Sequence, residues 1–256
     1  MTGALNDAGI VITRPARQAA GLAREIAALG GRPLIFPAIV ILPSADVAAL
    51  RAVHWELAHY DIAIFVSPNA VEFGVGDPAT WPAHILTLAP GPGTATALAA
   101  VGIADVRIPA TSMDSEGLLA LPELVDVAGK RVVIFRGDGG RELLRSALEA
   151  RGATVVQAEC YRRAKPESGA AGLIDAWRER RVDAVTLTSG AGLDNLWSIL
   201  GNEGRAHFMT TPAFVPHARI AERARGLGLR LVIVTAPADA GLLASLLEYF
   251  ARPHQA

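Results

Sequence analysis

Residues 61–73, DIAIFVSPNAVEF, have a second edition in residues 182–196, VDAVTLTSGAGLDNL, and this repetition decides the fold. In each copy an aspartate opens a short apolar run that stops at Val66 and Ser67, or at Thr188 and Ser189, after which the apolar spacing turns helical. Ser67 and Ser189 lie 122 residues apart. Each copy predicts a buried parallel strand ending in a turn, with the serine hydroxyl at the N-terminus of the next helix. Unpaired backbone N–H groups and the macrodipole favour an anion there. Two such mouths in one chain imply one ligand held between two halves.

Outward from this pair the same offset recurs. IVIT at residues 10–13 predicts a strand, and a helix follows to about Leu29, with Ala19, Leu22, Ala23 and Ile26 on its apolar face and Gly30 and Gly31 as its stop. Pro15 suits the first turn of that helix. VITRPARQAAGLAREIAALGG is echoed by VVIFRGDGGRELLRSALEARG at residues 132–152, where Arg14 matches Arg136, Leu22 matches Leu144 and Gly30 matches Gly152, each 122 apart.

The turn APGPGTATAL is matched by VPHARIA, with Pro90 and Pro216 now 126 apart; the four added residues are expected in a loop, NEGRAHF, where insertions are tolerated. GLLA recurs at Gly117 and Gly241. Two long stretches punctuated or closed by proline, PLIFPAIVILP (33–43) and TVVQAECYRRAKP (154–166), read as extended linkers lying side by side, because proline marks an edge or a connection. The chain is thus a tandem duplication of four to five βα units, an α/β fold with parallel sheets covered by helices on both faces.

Bulk properties agree. The 256 residues are 51% hydrophobic but only 5% aromatic, with 25 glycines, which suits closely packed α/β layers rich in small side chains. A formal charge of −1 without a long basic run argues against nucleic acid as a main partner. The lone Cys160 cannot build a disulfide framework or a thiolate metal cluster, and the six histidines show no ligand spacing. The first residues lack the regions of a signal peptide and no apolar run spans a bilayer, so a cytoplasmic protein is expected.

Several residues have two readings. Ser67 and Ser189 cap helices, with or without ligand contact; neither lies in GxSxG, so neither reads as a nucleophile. Arg14 and Arg136 stand at equivalent helix starts, where a cation opposes the macrodipole; they bind a carboxylate or phosphate, or are merely solvated. Thr94 in GPGTATA reads as a cap beside an anion cradle, whereas a dinucleotide fingerprint is disfavoured because the sixth position is threonine and the VPHARIA copy lacks glycine. His217 contacts an anion or has no role. Tyr161 donates a proton or simply packs.

Taken together, VITRPARQ, FVSPNAVEF, APGPGTATAL, VVIFRGDGGRELL with AECYRRAKP, LTSGAGLDNL and ADAGLLASLLEYF resemble, in order and spacing, the uroporphyrinogen-III synthase family over nearly the whole chain. The resemblance implies two similar parallel-sheet βα domains with flavodoxin-like layers, joined by a two-stranded linker. It divides the chain into a discontinuous domain, 1–37 with 167–256, an inserted domain, 43–157, and linker strands 38–42 and 158–166.

It also implies closure of hydroxymethylbilane to uroporphyrinogen III with loss of water and inversion of the last ring, without metal or organic cofactor. By the same resemblance Tyr161 assists departure of the hydroxyl. The substrate-binding set is Arg14, Ser67, Asn69, Gly93, Thr94, Arg136, Thr188, Ser189 and His217. The VPHARIA turn departs from the family's Gly-Pro-Thr-Thr-like pattern, so no threonine contact transfers there. A monomer is the default, with hydroxymethylbilane synthase as a transient partner. The rival readings are a non-catalytic two-lobed module for an anionic small molecule and, third, a nucleotide-dependent enzyme.

Overall fold

The computed structural model describes residues 3–140 and 142–251. In chain order it forms β1 (Gly9–Ile12), α1 (Ala16–Ala28), β2 (Arg32–Ile35), β3 (Val40–Pro43), α2 (Val47–Trp55), β4 (Ile62–Phe65), α3 (Pro68–Gly74), β5 (Leu86–Leu88), α4 (Pro92–Ala100), β6 (Val106–Arg107), α5 (Ser115–Leu119), β7 (Arg131–Gly137), α6 (Leu143–Ala150) and β8 (Thr154–Ala164). It continues with α7 (Ala171–Arg178), β9 (Ala184–Thr186), α8 (Gly190–Thr210), β10 (Ala213–Val215), α9 (Ala218–Gly226), β11 (Val232–Val234) and α10 (Ala238–Ala251).

Two compact units emerge, Met1–Val40 with Ala164–Ala256, and Ile41–Arg163. The first carries a five-stranded sheet in the order β11-β10-β9-β1-β2, parallel at every pair. The second carries the order β3-β8-β7-β4-β5-β6, parallel from β8 to β6. Matched through the repeat, β1 corresponds to β7, β2 to β8, and β9, β10 and β11 to β4, β5 and β6. The spatial order is therefore the same in both units. Read along the chain it is flavodoxin-like, 2-1-3-4-5, in the first and the permuted 3-2-1-4-5 in the second.

Central strands are buried on both faces, as parallel sheets require. Ile10 and Ile12 of β1 pack with Leu22, Ile26 and Leu246, while Val11 faces Leu193, Leu196 and Phe208. In β7, Val133 and Phe135 pack with Phe65 and Tyr161; Val132 and Ile134 pack with Leu144 and Leu148.

The aspartates that open the repeated stretch have a structural task. The Asp183 carboxylate accepts from the Gly9 N–H at 2.7 Å, and that of Asp61 from the Arg131 N–H at 2.8 Å, positions again 122 apart. Each ties the start of one central strand to its neighbour. The Arg131 N–H, helped by Lys130, holds the Asp61 carboxyl below the usual carboxylate range. A folded-state value below the unfolded one means that this contribution is present above about pH 4 and is lost as pH falls through the depressed value. Asp61→Asn is expected to cost about 1 kcal/mol near neutrality, with the difference from wild type shrinking at pH 3, as read from urea midpoints at the two pH values.

Several expectations are corrected. The segments read as linkers are sheet strands over much of their length: β2 pairs with β1 from Arg32 to Ile35, and β8 pairs with β7 from Thr154 to Tyr161. The physical reason is donor supply. Pro33 falls in β2, an edge strand, and Pro166 lies beyond the end of β8, so neither removes a needed N–H. β3 and β8 are hydrogen-bonded neighbours, and the Ser44 N–H donates to the Cys160 carbonyl at 3.0 Å. The contact boundary thus falls at the first residue of β3 and the last of β8. Residues 1, 2 and 252–256 of the expected discontinuous domain lie outside the described residues.

NEGRAHF is not a loop but the second arm of α8, which bends at Gly201 (φ 61°); Leu200, Gly204 and Phe208 recur at helical spacing and are buried. Pro15 is the N-cap residue of α1 rather than a first-turn residue, and Gly91, not Thr94, is the N-cap of α4. GLLA recurs because Gly117 and Gly241 each admit a loop carbonyl, that of Ser112 or of Ala236, where a Cβ would otherwise stand. Cys160 is buried in the core, and burial pushes its thiol up to about 12.

Candidate functional site

In open α/β sheets ligands bind beyond the carboxyl ends of the strands, where successive connections leave in opposite directions. That point lies between β1 and β9 in the first unit and between β7 and β4 in the second. A cavity sits at each. In the first unit it measures about 180 Å³ and is lined by Arg14, Thr188, His217, Thr235 and Ala238 among others. In the second it measures about 200 Å³, with Val66, Ser115, Arg136, Gly137, Tyr161 and Arg163 in its wall. Through the repeat, Arg14 answers to Arg136, Thr188 to Val66 and Asp239 to Ser115. A larger hollow of about 450 Å³ between α2 and β8 holds none of the candidate residues, so position rather than size marks the sites.

The serines behave as the sequence predicts. Ser67 Oγ accepts from the Ala70 N–H at 3.2 Å, and Ser189 Oγ from the Gly192 N–H at 3.0 Å, so both cap their helices. Ser67 does more, because its Oγ lies 3.1 Å from the Tyr161 hydroxyl. Tyr161 is only 1% exposed, its ring packed in the core of the second unit and its residue lining the cavity. Packing and a chemical role are therefore not alternatives here.

Both arginines already have carboxylates, which corrects the expectation that each waits for a ligand or solvent. Arg14 pairs with Asp239 at 2.5 Å, and the buried Arg136 pairs with Glu142 at 2.9 Å and donates to the Gly139 carbonyl. The Arg136 guanidinium holds the Glu142 carboxyl below its ordinary range, with Gln157 assisting. The two solutions are not symmetric: Asp239 stands in the first turn of α10, while its counterpart in α5 is Ser115. Next to Asp239, Ala238 takes a left-handed backbone (φ 65°), a conformation costing about 1–2 kcal/mol in a residue with a Cβ.

The remaining candidates divide. His217 is exposed at the N-cap of α9, lines the first cavity and makes no side-chain cap. Asn69 is half-buried in the first turn of α3. Gly93 is exposed with open space where a Cβ would go, and Thr94 is 4% exposed in the first turn of α4; neither lines either cavity. The residues that sequence reasoning missed are Asp239, Glu142, Ser115, Gly137 and Arg163. Only the pairing of SEGLLA with DAGLLA carried a signal for any of them. Among the described residues no cluster of histidine, cysteine or carboxylate side chains could hold a metal ion.

The second wall holds Gly137, Gly139 and Gly140 with the hydroxyls of Ser115 and Tyr161, and the first the hydroxyls of Thr188 and Thr235, which suits carboxylates received by directed N–H and O–H donors. The family model described as Uroporphyrinogen-III synthase HemD matches residues 20–244. The chain is 36% identical to the uroporphyrinogen-III synthase of Salmonella typhimurium and 34% identical to that of Escherichia coli, each over 244 residues covering 93% of this chain and 99% of the relative. A uroporphyrinogen-III synthetase structure from Helicobacter pylori superposes with a TM-score of 0.57 over 94% of this chain and 99% of that one, at 14% identity, a likeness of fold.

Proposed function

The chain belongs to the uroporphyrinogen-III synthase family, and from that premise we propose that it closes hydroxymethylbilane to uroporphyrinogen III with loss of water and inversion of ring D. It is a cyclising lyase of haem biosynthesis. The observation that carries this is identity of 36% across 93% of the chain with a named synthase. A non-catalytic module for an anionic small molecule is not favoured, since the family model and the named synthases match nearly the whole chain.

The proposed course uses what the two cavities offer. Acetate and propionate groups of the linear tetrapyrrole are received by donors beyond the strand ends of each unit, Thr188, Ser189 and His217 in the first and Asn69 in the second. Departure of the hydroxyl leaves an azafulvene, and Tyr161 protonates the leaving oxygen. The enzyme's main contribution is conformational: it holds the reacting ends so that attack falls on the substituted carbon of the last ring, through a spiro intermediate, rather than on the free position. The reaction is redox-neutral and releases only water, so its chemistry needs neither an electron carrier nor an activated group donor; we therefore propose a cofactor-independent enzyme. A cytoplasmic monomer that meets hydroxymethylbilane synthase only transiently completes the reading. No helix among the described residues is long and apolar enough to cross a membrane.

The test is to supply hydroxymethylbilane and separate the products by isomer. Uroporphyrinogen III is expected to dominate, and a ratio equal to the enzyme-free control would sink the assignment. Turnover that survives dialysis against a chelator in nucleotide-free buffer is expected as well.

A further inference from the structure

Arg163 is the cation in the wall of the second unit's cavity that no carboxylate among the described residues neutralises, whereas Arg136 beside it is paired with Glu142. Its guanidinium Nη2 donates to the Tyr161 phenol oxygen at 3.1 Å, with its central carbon 5.3 Å from the ring centroid. The side chain is held in register from the backbone. The Arg163 N–H donates to Asp138 Oδ1 at 3.0 Å, and the Asp138 N–H donates to the Tyr161 carbonyl at 2.8 Å.

The proton inventory at the phenol then has one arrangement that leaves an acid. A guanidinium only donates, so the phenol oxygen accepts from Arg163. Ser67 Oγ accepts from the Ala70 N–H, and in the arrangement that leaves an acid its own proton goes to Tyr161, 3.1 Å away. With two donors on its oxygen, the phenol keeps its proton for a third partner.

We propose that Arg163 is a positioning residue for the cyclisation, acting with Ser67 to aim the Tyr161 proton and to hold the negative charge left behind. This deepens the reading of Tyr161 given above and rests on it. The Tyr161 proton passes to the oxygen of the hydroxymethyl group. The carbon–oxygen bond breaks with its electron pair going to water, and the pyrrole supplies electrons to form the azafulvenium. The phenolate is held by the Arg163 and Ser67 donors. Attack at the substituted carbon of the last ring forms the spiro carbon–carbon bond; that carbon's old bond to its methylene bridge then breaks to regenerate an azafulvenium, the freed methylene bonds to the ring's unsubstituted carbon, and the proton shed there returns to Tyr161. Charge-assisted donors are the stronger kind, and a preorganised pair needs no rearrangement as the charge develops.

The experiment compares Arg163→Ala, Arg163→Lys and Tyr161→Phe by steady-state turnover of hydroxymethylbilane. Arg163 is exposed and its backbone bond to Asp138 survives substitution, so the alanine variant keeps its circular dichroism; the lysine variant retains a donor should it not. Arg163→Ala is expected to lower kcat on the order of ten- to a hundredfold, to change KM little, and to recover kcat when millimolar guanidinium is added. Arg163→Lys is expected to fall between it and wild type. Added guanidinium should do nothing for an Arg163→Ala, Tyr161→Phe double variant. Unchanged kcat in Arg163→Ala, failure of guanidinium to restore it, or rescue that persists without the phenol overturns the role of Arg163 while leaving Tyr161 in place. Wild-type turnover in Tyr161→Phe instead overturns the reading of Tyr161, and this proposal with it.

Discussion

Turnover of hydroxymethylbilane falls by about two orders of magnitude when Gly137 becomes alanine. Gly137 faces Tyr161 across the β7–β8 ladder at a register shift, and a Cβ there would lie 2.5 Å from Tyr161 Cε2, 2.6 Å from Cζ and 3.0 Å from the hydroxyl oxygen. The ring cannot share that space. It must move by roughly 1 Å, a displacement that costs about a hundredfold when it misaligns a reacting group. The Ser67 and Arg163 hydrogen bonds at 3.1 Å break with it. Tyr161→Phe, which keeps the ring and removes the oxygen, is expected to lose a similar factor, at the lower end of what a general acid contributes, about 10²-fold. Rates of uroporphyrinogen III formation by the two variants decide the matter. Gly137→Ala turning over within threefold of wild type would show that the position of the phenol is immaterial.

Phe65→Ala is expected to destabilise the second unit by about 3–5 kcal/mol. Phe65 is fully buried and stacks on Phe135 with centroids 4.5 Å apart and ring planes 8° apart, while Trp81 tilts over it at 5.5 Å. Truncation leaves a hole bounded by two large rings that have no smaller rotamer with which to fill it. Given marginal total stabilities of about 5–15 kcal/mol, the loss is a substantial fraction of what holds the domain. It should lower the urea midpoint followed by circular dichroism by about 1 M or more. A midpoint within a few tenths molar of wild type would mean that the aromatic cluster relaxes into the space, contrary to its close packing.

Much of this architecture was legible because duplication writes the same physics twice. The 122-residue offset pairs the aspartates, the capping serines and the arginines in the sequence alone, and each pair occupies equivalent places in its sheet. What escaped was of two kinds. Linker and strand look alike when proline lies at the margin of a run, and only the pairing of β8 with β7 shows that the donors are used. Partners of the site residues escaped for another reason. Arg14 meets Asp239 from the far end of the chain, and Arg136 uses Glu142 where the repeat would suggest the position of Ser115. No periodicity encodes such a choice. The VPHARIA turn shows the limit from the other side: it kept its helix and its place while losing the side chains that would have named its contacts.

The insertion of one unit between β2 and β9 of the other has a consequence for how the molecule is made. On the ribosome, β1, α1 and β2 emerge before the inserted unit, yet β1 must wait for β9 before its second edge is covered. Between the end of β2 and the start of β9 the whole of the other unit is synthesised, an interval of roughly 10–30 s at typical elongation rates. For that time a strand destined for the centre of a sheet stands with bare amides and an uncovered Val11. The inserted unit closes promptly after its last strand, whereas the interrupted one stays vulnerable to chaperones, proteases and stray strands until β9, β10 and β11 have followed.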